Sequence, residues 1–485
     1  MKKQSISFFT YNLIFGLGFI VAVILSGCNK YLDTPLPVDQ ITVANAFISD
    51  GTTSSVVTGI LMDNYNKGFF QNSNSIGYTS GLYTDELQNL NNQSTGNVAY
   101  YTDNVESTIT GGLWQGLYAE IYKDNASIEG IQKSTSRLTF RNQWLGESYF
   151  LRALHYFYLT NLYGDVPLVI STDVQANNHL AKSPRADVFN QIIADLKLAQ
   201  SILPSDYSDG LGSPTTDRGR PNRSAATALL ARMYLYTSKW QDAEIQADSL
   251  ISNSNFKLEL PANTFLATSQ ETIWGISPVA PSGFVGDYNA YNGGMPAVIP
   301  ANNTVLTYGV NVALSNSLIS LFDTTDTRYT NWVRSSVAPA SGTIPAIKYY
   351  FPNKYKSISP GAENIVMFRL AEQYLIRAEA RAEQNNLSGA QSDLNQVRSR
   401  AGVPPVNLVL QADLLSAIAV ERQRELFTEN GQRFFDLKRT GTIDQVMNAV
   451  APVKGGTWAS FKSVWALPQN DLIEDPNLKQ NPGYE

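Results

Sequence analysis

The chain of 485 residues contains one cysteine, Cys28, and two histidines, His155 and His179. A single cysteine cannot form an intramolecular disulfide bond, so stability has to come from packing. No run of His and Cys has the spacing of a zinc site, and no nucleophile elbow, P-loop or dinucleotide-binding motif is present. The sequence therefore predicts no catalytic residues, no cofactor and no bound metal.

Charge is also scarce, because charged residues make up 16% of the chain against about 25% in ordinary globular domains. The 36 Lys and Arg residues face 42 Asp and Glu residues, which gives a net charge of −6. This balance argues against nucleic acid as a partner. Tyr (25) and Phe (21) are plentiful, so the surface favours an uncharged, hydroxyl-rich ligand.

The longest apolar run lies near the N-terminus, at Leu13–Leu25, behind Lys2 and Lys3. It is too short to cross a bilayer, which takes about 20 residues. A basic start, a short apolar core and small residues at the end are typical of an export signal. We therefore predict that residues 1–27 are a signal peptide.

Residues 25–28 (LSGC) resemble the lipobox of bacterial lipoproteins. In such proteins the signal is removed and the new N-terminal cysteine is acylated, so Cys28 is the predicted lipidation site and residues 28–43 the lipidated tether. Several acyl chains on Cys28 would hold the protein firmly to the outer membrane. The alternative is an ordinary secretory signal with an incidental cysteine.

Helical patterns dominate the rest of the chain. The stretch Asn142–Tyr163 is apolar on nearly every side, which predicts a buried helix in which His155 is a hydrogen-bonded structural residue. Further along, two helix-turn-helix units repeat the same small or apolar positions at a constant offset. These positions are Ala231, Trp240, Ala243, Ala247 and Leu250 in the first unit, and Ala378, Leu387, Ala390, Leu394 and Val397 in the second.

The two units resemble tetratricopeptide helix pairs, but they lie so far apart in the sequence that we do not expect a continuous array. Long segments rich in Pro, Gly, Asn and aromatic residues separate them, within residues 277–364. Insertions of this length are more often functional than accidental. The predicted fold class is mainly α, with a tetratricopeptide-like platform of helix pairs (an α-solenoid or superhelix), minor β hairpins and a large irregular ligand-binding lobe.

One group of carboxylates could suggest catalysis. Glu421, Glu425 and Glu429 share a helix face at four-residue spacing, and a pair of carboxylates is what glycoside hydrolysis needs. Arginines are interleaved with them, however, and ion pairs at i,i+3 and i,i+4 explain the pattern without catalysis.

Ordered blocks over nearly the whole chain resemble the SusD/RagB family. They are CNKYLDTPLP (28–37), EIYKDNASIEGI (120–131), GESYFLRALHYFYLTNLYGDVPL (146–168), RGRPNRSAATALLARMYLY (218–236), FRLAEQYLIRAEARA (368–382), LNQVRSRAGVP (394–404), ERQRELFTENGQRFFDLKRTG (421–441) and LPQNDLIEDPNLKQNPGY (467–484).

The resemblance implies a lipoprotein that faces the exterior of the outer membrane and partners a SusC-like TonB-dependent transporter, to which it delivers oligosaccharide or peptide. It implies four helix pairs with an irregular ligand-binding lobe on top, and it implies a binding protein, not an enzyme. On this basis we expect an N-terminal region at 44–260, with binding loops at 68–104, and a C-terminal region at 261–485, with insertions at 277–364, helix pairs at 365–450 and a final tail.

Two irregular segments combine the aromatic rings that stack on sugars with the side chains that bond to hydroxyl groups. In the segment Gly77–Tyr101 the candidate ligand-binding residues are Tyr78, Tyr83, Asp85, Asn91, Asn92, Tyr100 and Tyr101. In the segment Ser282–Met295 they are Phe284, Asp287, Tyr288, Asn289, Tyr291 and Asn292. We expect the two segments to converge on one exposed face.

Three classes of function stay open at this point. A transporter-associated binding lipoprotein is the first, a surface glycoside hydrolase is the second, and a helical scaffold that binds only protein is the third. Exposed Asp and Asn are abundant enough to ligate calcium, but no loop has the ordered ligand spacing of a calcium site.

Overall fold

The structure, a computed structural model, describes residues 45–278 and 283–485. The predictions for the signal peptide (1–27), for Cys28 and for the tether (28–43) lie outside the described residues. Residues 47–485 form one unit.

Helices make up most of the regular structure in the described ranges. In the first half they are α1 (Asp50–Asn66), α2 (Ile76–Tyr83), α3 (Thr95–Tyr101), α4 (Gly111–Lys133), α5 (Arg141–Tyr163), α6 (Val174–Asn177), α7 (Arg185–Ile202), α8 (Arg223–Tyr236) and α9 (Trp240–Ile251). In the second half they are α10 (Asp287–Tyr291), α11 (Asn316–Ile319), α12 (Thr327–Trp332), α13 (Leu370–Glu383), α14 (Leu387–Arg400), α15 (Gln411–Leu426), α16 (Gln432–Arg439), α17 (Ile443–Val453) and α18 (Gln469–Glu474).

Six short strands form three antiparallel pairs. The strands are β1 (Leu87–Asn89), β2 (Thr272–Ile276), β3 (Val312–Leu314), β4 (Val333–Ala338), β5 (Ile347–Pro352) and β6 (Ile365–Arg369). β1 pairs with β3, β2 with β6, and β4 with β5. The mainly α fold with minor β hairpins is thus confirmed, although only β4 and β5 are neighbours in the sequence.

The helix α5 is the predicted buried helix, and from Gly146 to Tyr163 every residue is buried. It packs between α4 and α7. His155 lies inside it, with Nδ1 2.7 Å from Asp124 Oδ2 and Nε2 3.0 Å from Asn64 Oδ1. Both ring nitrogens are therefore used by internal partners, which confirms the structural role predicted for this histidine.

The repeated small residues pack the helix pairs α8–α9 and α13–α14. Ala243 and Ala247 in α9, like Ala390 in α14, are fully buried, and the absence of long side chains lets the helices approach closely. The two pairs are also neighbours in space, because α9 packs against α13. Our expectation of separate pairs was wrong: the insertion between them loops out without moving them apart.

Ion pairs fix this contact between the two helix pairs. Arg377 Nη1 lies 2.5 Å from Asp248 Oδ1, and Arg381 Nε lies 2.8 Å from Glu244 Oε1.

Within the described ranges, no helix combines the length and the hydropathy that a membrane span requires.

A segment from the C-terminal region completes the core of the N-terminal helices. The indole of Trp465 is fully buried, with its centroid 5.2 Å from the ring of Tyr100 and 6.0 Å from those of Tyr83 and Tyr163. The Tyr83 hydroxyl donates to Lys462 O over 2.8 Å, across 379 residues of sequence. Packing that depends on such distant partners ties the two regions into one core.

Candidate ligand-binding lobe

Two irregular stretches of the chain meet in one substructure, which we call the lobe (residues 87–101 and 284–352). The pairing of β1 with β3 joins the stretches, since Leu87 lies opposite Leu314 and Asn89 opposite Val312. A small hydrophobic core supports the lobe from beneath; its buried members are Met295, Ile299, Val305, Val310, Ala313 and Phe351. This core gives the loops above it a fixed geometry.

Four asparagines gather where β1 ends, and we call them the amide cluster (Asn89, Asn91, Asn92 and Asn311). Asn91 Nδ2 donates to Asn311 Oδ1 over 2.9 Å, and Asn89 Nδ2 donates to Asn92 Oδ1 over 3.2 Å. Asn92 is exposed and the other three are half-buried. Each carboxamide has more donors and acceptors than these bonds use, so the cluster can bond to the hydroxyl groups of a ligand.

The second predicted segment reaches the same lobe through the glycine turn at Gly293. A Cβ atom there would lie 2.6 Å from Tyr308 O and 3.2 Å from Val310 Cγ2, and φ is +48°. Glycine has no Cβ atom and tolerates a positive φ. The turn that follows Asn289 can therefore pack directly on the residues that precede Asn311. Both predicted segments thus contact residues 308–311, the first through Asn91 and the second through Gly293.

Four of the predicted aromatic residues are core residues. Tyr78 and Tyr291 pack on each other with ring centroids 5.7 Å apart, and Asn97 Nδ2 donates to the Tyr78 hydroxyl over 3.1 Å. Tyr83 and Tyr100 pack on Trp465. All four rings are 8% exposed or less, so their role in this structure is packing and they offer no free face for stacking on a sugar.

Three of the predicted polar residues are likewise buried and used internally. The Asp85 carboxylate accepts two hydrogen bonds from the Arg433 guanidinium, at 2.8 and 2.7 Å. Asp287 Oδ1 accepts from Asn72 N over 2.9 Å, and Asn292 Nδ2 donates to Tyr355 O over 3.3 Å. These groups hold the base of the lobe together.

The remaining candidates are accessible. Asn92 and Asn289 are exposed; the half-buried members are Asn91, Tyr101, Phe284 and Tyr288. Phe284 and Tyr288 lie edge to face, with ring centroids 6.4 Å apart. Together with the amide cluster they supply both kinds of surface that a saccharide needs.

Burial controls the charge beneath the lobe. It raises the pKa of Asp287 to about 7 and, with a smaller contribution from the nearby Asp85 carboxylate, raises the pKa of Glu86 to about 8. Burial also raises the pKa of the Tyr78 hydroxyl to about 12. At neutral pH these acids carry less negative charge than exposed ones, so the base of the lobe is less anionic than its composition suggests.

The carboxylates that suggested hydrolysis are tied to basic groups. Glu421 lies 2.7 Å from Arg328 Nη1, and Glu425 lies 2.7 Å from the same nitrogen and 2.5 Å from Arg369 Nη1. Glu429 lies 2.8 Å from Arg369 Nη2. Despite burial, these cations hold the pKa values of Glu425 and Glu429 below their ordinary range, so both carboxylates are ionised members of an ion-pair network. Within the described ranges, no group of three or more His, Cys, Asp or Glu residues is placed to hold a metal ion.

Sequence reasoning missed three accessible residues of the lobe: Asn89, Asn311 and Tyr308. Asn303 Nδ2 donates to the Tyr308 hydroxyl over 3.3 Å, and the ring is half-buried. Their signal was the composition of residues 302–311 (NNTVLTYGVN), which mixes amides with an aromatic ring. The composition alone did not identify this segment as part of the site, because the β1–β3 pairing that brings it to Asn91 cannot be predicted from local sequence.

Comparisons with known proteins agree with this architecture. A family model described as "SusD family" matches residues 302–484, and one described as "Starch-binding associating with outer membrane" matches residues 29–235. The SusD-like protein P2 of Formosa agariphila is 24% identical, over 100% of both chains. The starch-binding protein SusD of Bacteroides thetaiotaomicron is 34% identical over 25% of this chain and 22% of that protein.

Solved structures share the fold. A SusD superfamily protein from Bacteroides thetaiotaomicron superposes with a TM-score of 0.74 at 22% identity, covering 90% of this chain and 100% of that one. A laminarin-binding SusD-like protein superposes with a TM-score of 0.72 at 22% identity, covering 90% of this chain and 99% of that one.

Proposed function

The chain belongs to the SusD/RagB family, and from this premise we propose that it is a saccharide-binding protein of the outer membrane and not an enzyme. A related protein is named as starch-binding and a structural neighbour as laminarin-binding. Both names describe the binding of a polysaccharide. The ion-paired state of Glu421, Glu425 and Glu429 supports the same proposal.

The observation that supports the proposal is that the amide cluster and accessible aromatic rings belong to the same lobe. Pyranose rings present C–H faces that pack on Tyr and Phe and hydroxyl groups that bond to amides. Asn91, Asn92, Tyr288 and Asn289 are the predicted residues that we retain for this contact, and Tyr308 joins them. The low charge of the chain suits an uncharged oligosaccharide better than a phosphorylated or nucleic acid ligand.

We propose further that Cys28 carries the lipid anchor and that a SusC-like TonB-dependent transporter receives the ligand. The lipobox-like residues 25–28 support the anchor. The description of the second family model, which names association with the outer membrane, supports the location. In cell fractionation, Cys28→Ala should move the protein from the outer-membrane fraction to a soluble one; retention in the membrane would remove the anchor from the proposal.

Calorimetry with defined oligosaccharides tests the binding function. The probes are hexasaccharides of α-1,4-linked and β-1,3-linked glucose and of β-1,4-linked xylose, with a hexapeptide of mixed sequence to test the peptide alternative. The double variant Asn91→Ala and Asn92→Ala removes one half-buried and one exposed amide of the cluster. Because two hydrogen bonds to ligand contribute about 1 to 3 kcal/mol together, the Kd should rise by about 5- to 160-fold.

The matched control is the double variant Gln175→Ala and Asn178→Ala, which removes two exposed amides at the short helix α6. It should bind as the natural chain does. If both double variants bind with unchanged affinity, the lobe is not the binding surface. If the hexapeptide binds at the lobe and no hexasaccharide does, the ligand class is wrong.

A further inference from the structure

A second concave surface lies away from the lobe, at the start of α5. This cleft has a volume of about 980 Å³, at the upper end of the range of about 300 to 1,000 Å³ that small-molecule sites span. Its lining comes from residues 138–143, from the loop 204–218, and from Asn255 and Gln270. None of the residues that line it belongs to the lobe.

The walls of the cleft are held in place by internal hydrogen bonds. Trp144 Nε1 donates to Gly210 O over 2.8 Å, Gln143 Nε2 donates to Asp209 O over 2.7 Å, and the Tyr207 hydroxyl donates to Ile273 O over 2.7 Å. Gly212 has φ of +77°, and its Cα packs against the Phe140 ring so closely that no Cβ would fit. A loop fixed in this way loses little entropy when a ligand binds.

Polar side chains in the cleft are free to meet a ligand. Asn142, Asp206 and Gln270 are exposed, and their side chains make no hydrogen bond to any other part of the chain that the structure describes. The hydroxyl group of Thr216 is also exposed there. Amides, one carboxylate and a hydroxyl are the groups that recognise sugar hydroxyls.

Aromatic rings supply the apolar part of the lining. Phe140 and Tyr207 line the cleft and are half-buried. The Arg218 guanidinium lies 5.2 Å from the centroid of the Tyr207 ring and donates to Asn255 O and Thr272 O. Backbone carbonyls and an aromatic face hold the Arg218 guanidinium in place, so it stiffens the wall of the cleft.

A second cavity of about 300 Å³ lies next to the cleft. Ser208 and Thr215 line both. Beyond them the second cavity is bordered by Met62 and Trp274. Two neighbouring cavities suit an extended chain of several units better than a single compact molecule.

We propose that this cleft is a second saccharide-binding site, which takes several units of an uncharged oligosaccharide chain. It goes beyond the proposed function, because a polysaccharide long enough to reach both sites is held by both at once. Linked binding of this kind raises the affinity for the polymer by roughly 100-fold or more over that for a short fragment.

The test fills the cleft and counts the sites. Thr216→Trp places an indole in the cleft, and Thr108→Trp places one on an exposed loop elsewhere as a control. Calorimetry with the three hexasaccharides named above should give two molecules of the best-binding sugar per chain for the natural protein and for Thr108→Trp, and one for Thr216→Trp. The affinity of Thr216→Trp for the parent polysaccharide should fall by about 100-fold.

A second variant, Asn142→Ala with Gln270→Ala, removes free amides without adding bulk and should also reduce the count to one, in case the Thr216→Trp chain does not fold. The lobe variant Asn91→Ala with Asn92→Ala separates the two proposals. If only the lobe proposal fails, the natural protein binds one molecule, and the cleft variants lose it while the lobe variant keeps it. If the cleft variants match the natural protein in stoichiometry and affinity, or no hexasaccharide binds, the second site is overturned.

Discussion

Replacing Arg369 by Met should be among the most destabilising single changes in the described part of the chain. The guanidinium is 1% exposed and lies 2.9 Å from Glu271, 2.5 Å from Glu425 and 2.8 Å from Glu429. Methionine fills much of the volume but leaves these carboxylates with one cation fewer. Since removing one partner from a buried ion pair costs about 3 to 5 kcal/mol, we expect the free energy of unfolding to fall by that amount at pH 7.

The pH dependence gives this prediction a second readout. The cations hold the pKa of Glu429 below its ordinary value of 4.5, so the pairing stabilises the fold above about pH 4.5 and is lost as the pH falls through the depressed pKa. Without Arg369 the carboxylates can take up protons more readily. The gap between the natural chain and Arg369→Met should therefore narrow as the pH is lowered from 7 to 4.

Urea unfolding followed by tryptophan fluorescence measures both effects. The control is Lys133→Met, which breaks the exposed i,i+4 pair with Glu129, where the lysine side chain is 76% exposed. Exposed pairs of this kind contribute about 0.3 to 0.5 kcal/mol. Equal losses in Arg369→Met and Lys133→Met, or a gap that widens in acid, would refute the view that Arg369 acts by neutralising buried carboxylates.

Two further predictions concern stability. Burial raises the pKa of Asp287 to about 7, so ionisation of this group opposes folding as the pH rises from about 4 to 7. The variant Asp287→Asn can still accept from Asn72 N, and it should be as stable as the natural chain at pH 4. At pH 8 its free energy of unfolding, measured by urea titration, should be higher by up to about 4 kcal/mol. A Cβ atom at Gly77 would lie 2.7 Å from Thr428 O, whereas a Cβ atom at Gly59 would meet nothing within 4 Å. In calorimetric unfolding, Gly77→Ala should therefore be less stable than the natural chain by about 1 to 3 kcal/mol. Gly59→Ala should be more stable by about 0.5 to 1 kcal/mol.

Periodic patterns with short-range causes were predicted well from the sequence. The burial of α5 and the small residues of α9 and α14 follow from side-chain size and helical spacing, which act within a few turns. The internal role of His155 followed from its place on an apolar helix. The interleaved arginines around Glu421 predicted local ion pairs, and Arg424 does pair with Glu421 at i,i+3. Glu425 and Glu429 pair instead with the distant residues Arg328 and Arg369, which local spacing does not predict.

The ligand-binding residues were harder to predict, because their exposure depends on distant parts of the chain. Tyr83 and Tyr100 lie in a polar, irregular segment that looks like a binding loop, yet Trp465 covers them. Asn311 reaches Asn91 only through the pairing of β1 with β3, because 220 positions of sequence separate the two asparagines. The order of residues in a loop does not encode such contacts, whereas helical periodicity does encode a buried face.

The packing of Trp465 on Tyr83 and Tyr163 has a consequence for the order of events during synthesis. The ribosome makes the tyrosines first, and 379 residues separate Tyr83 from the carbonyl of Lys462 to which it donates. Until that late segment emerges, the early helices lack the side chain that fills their centre. A nascent chain therefore cannot complete the packing of this core until its C-terminal region has been synthesised.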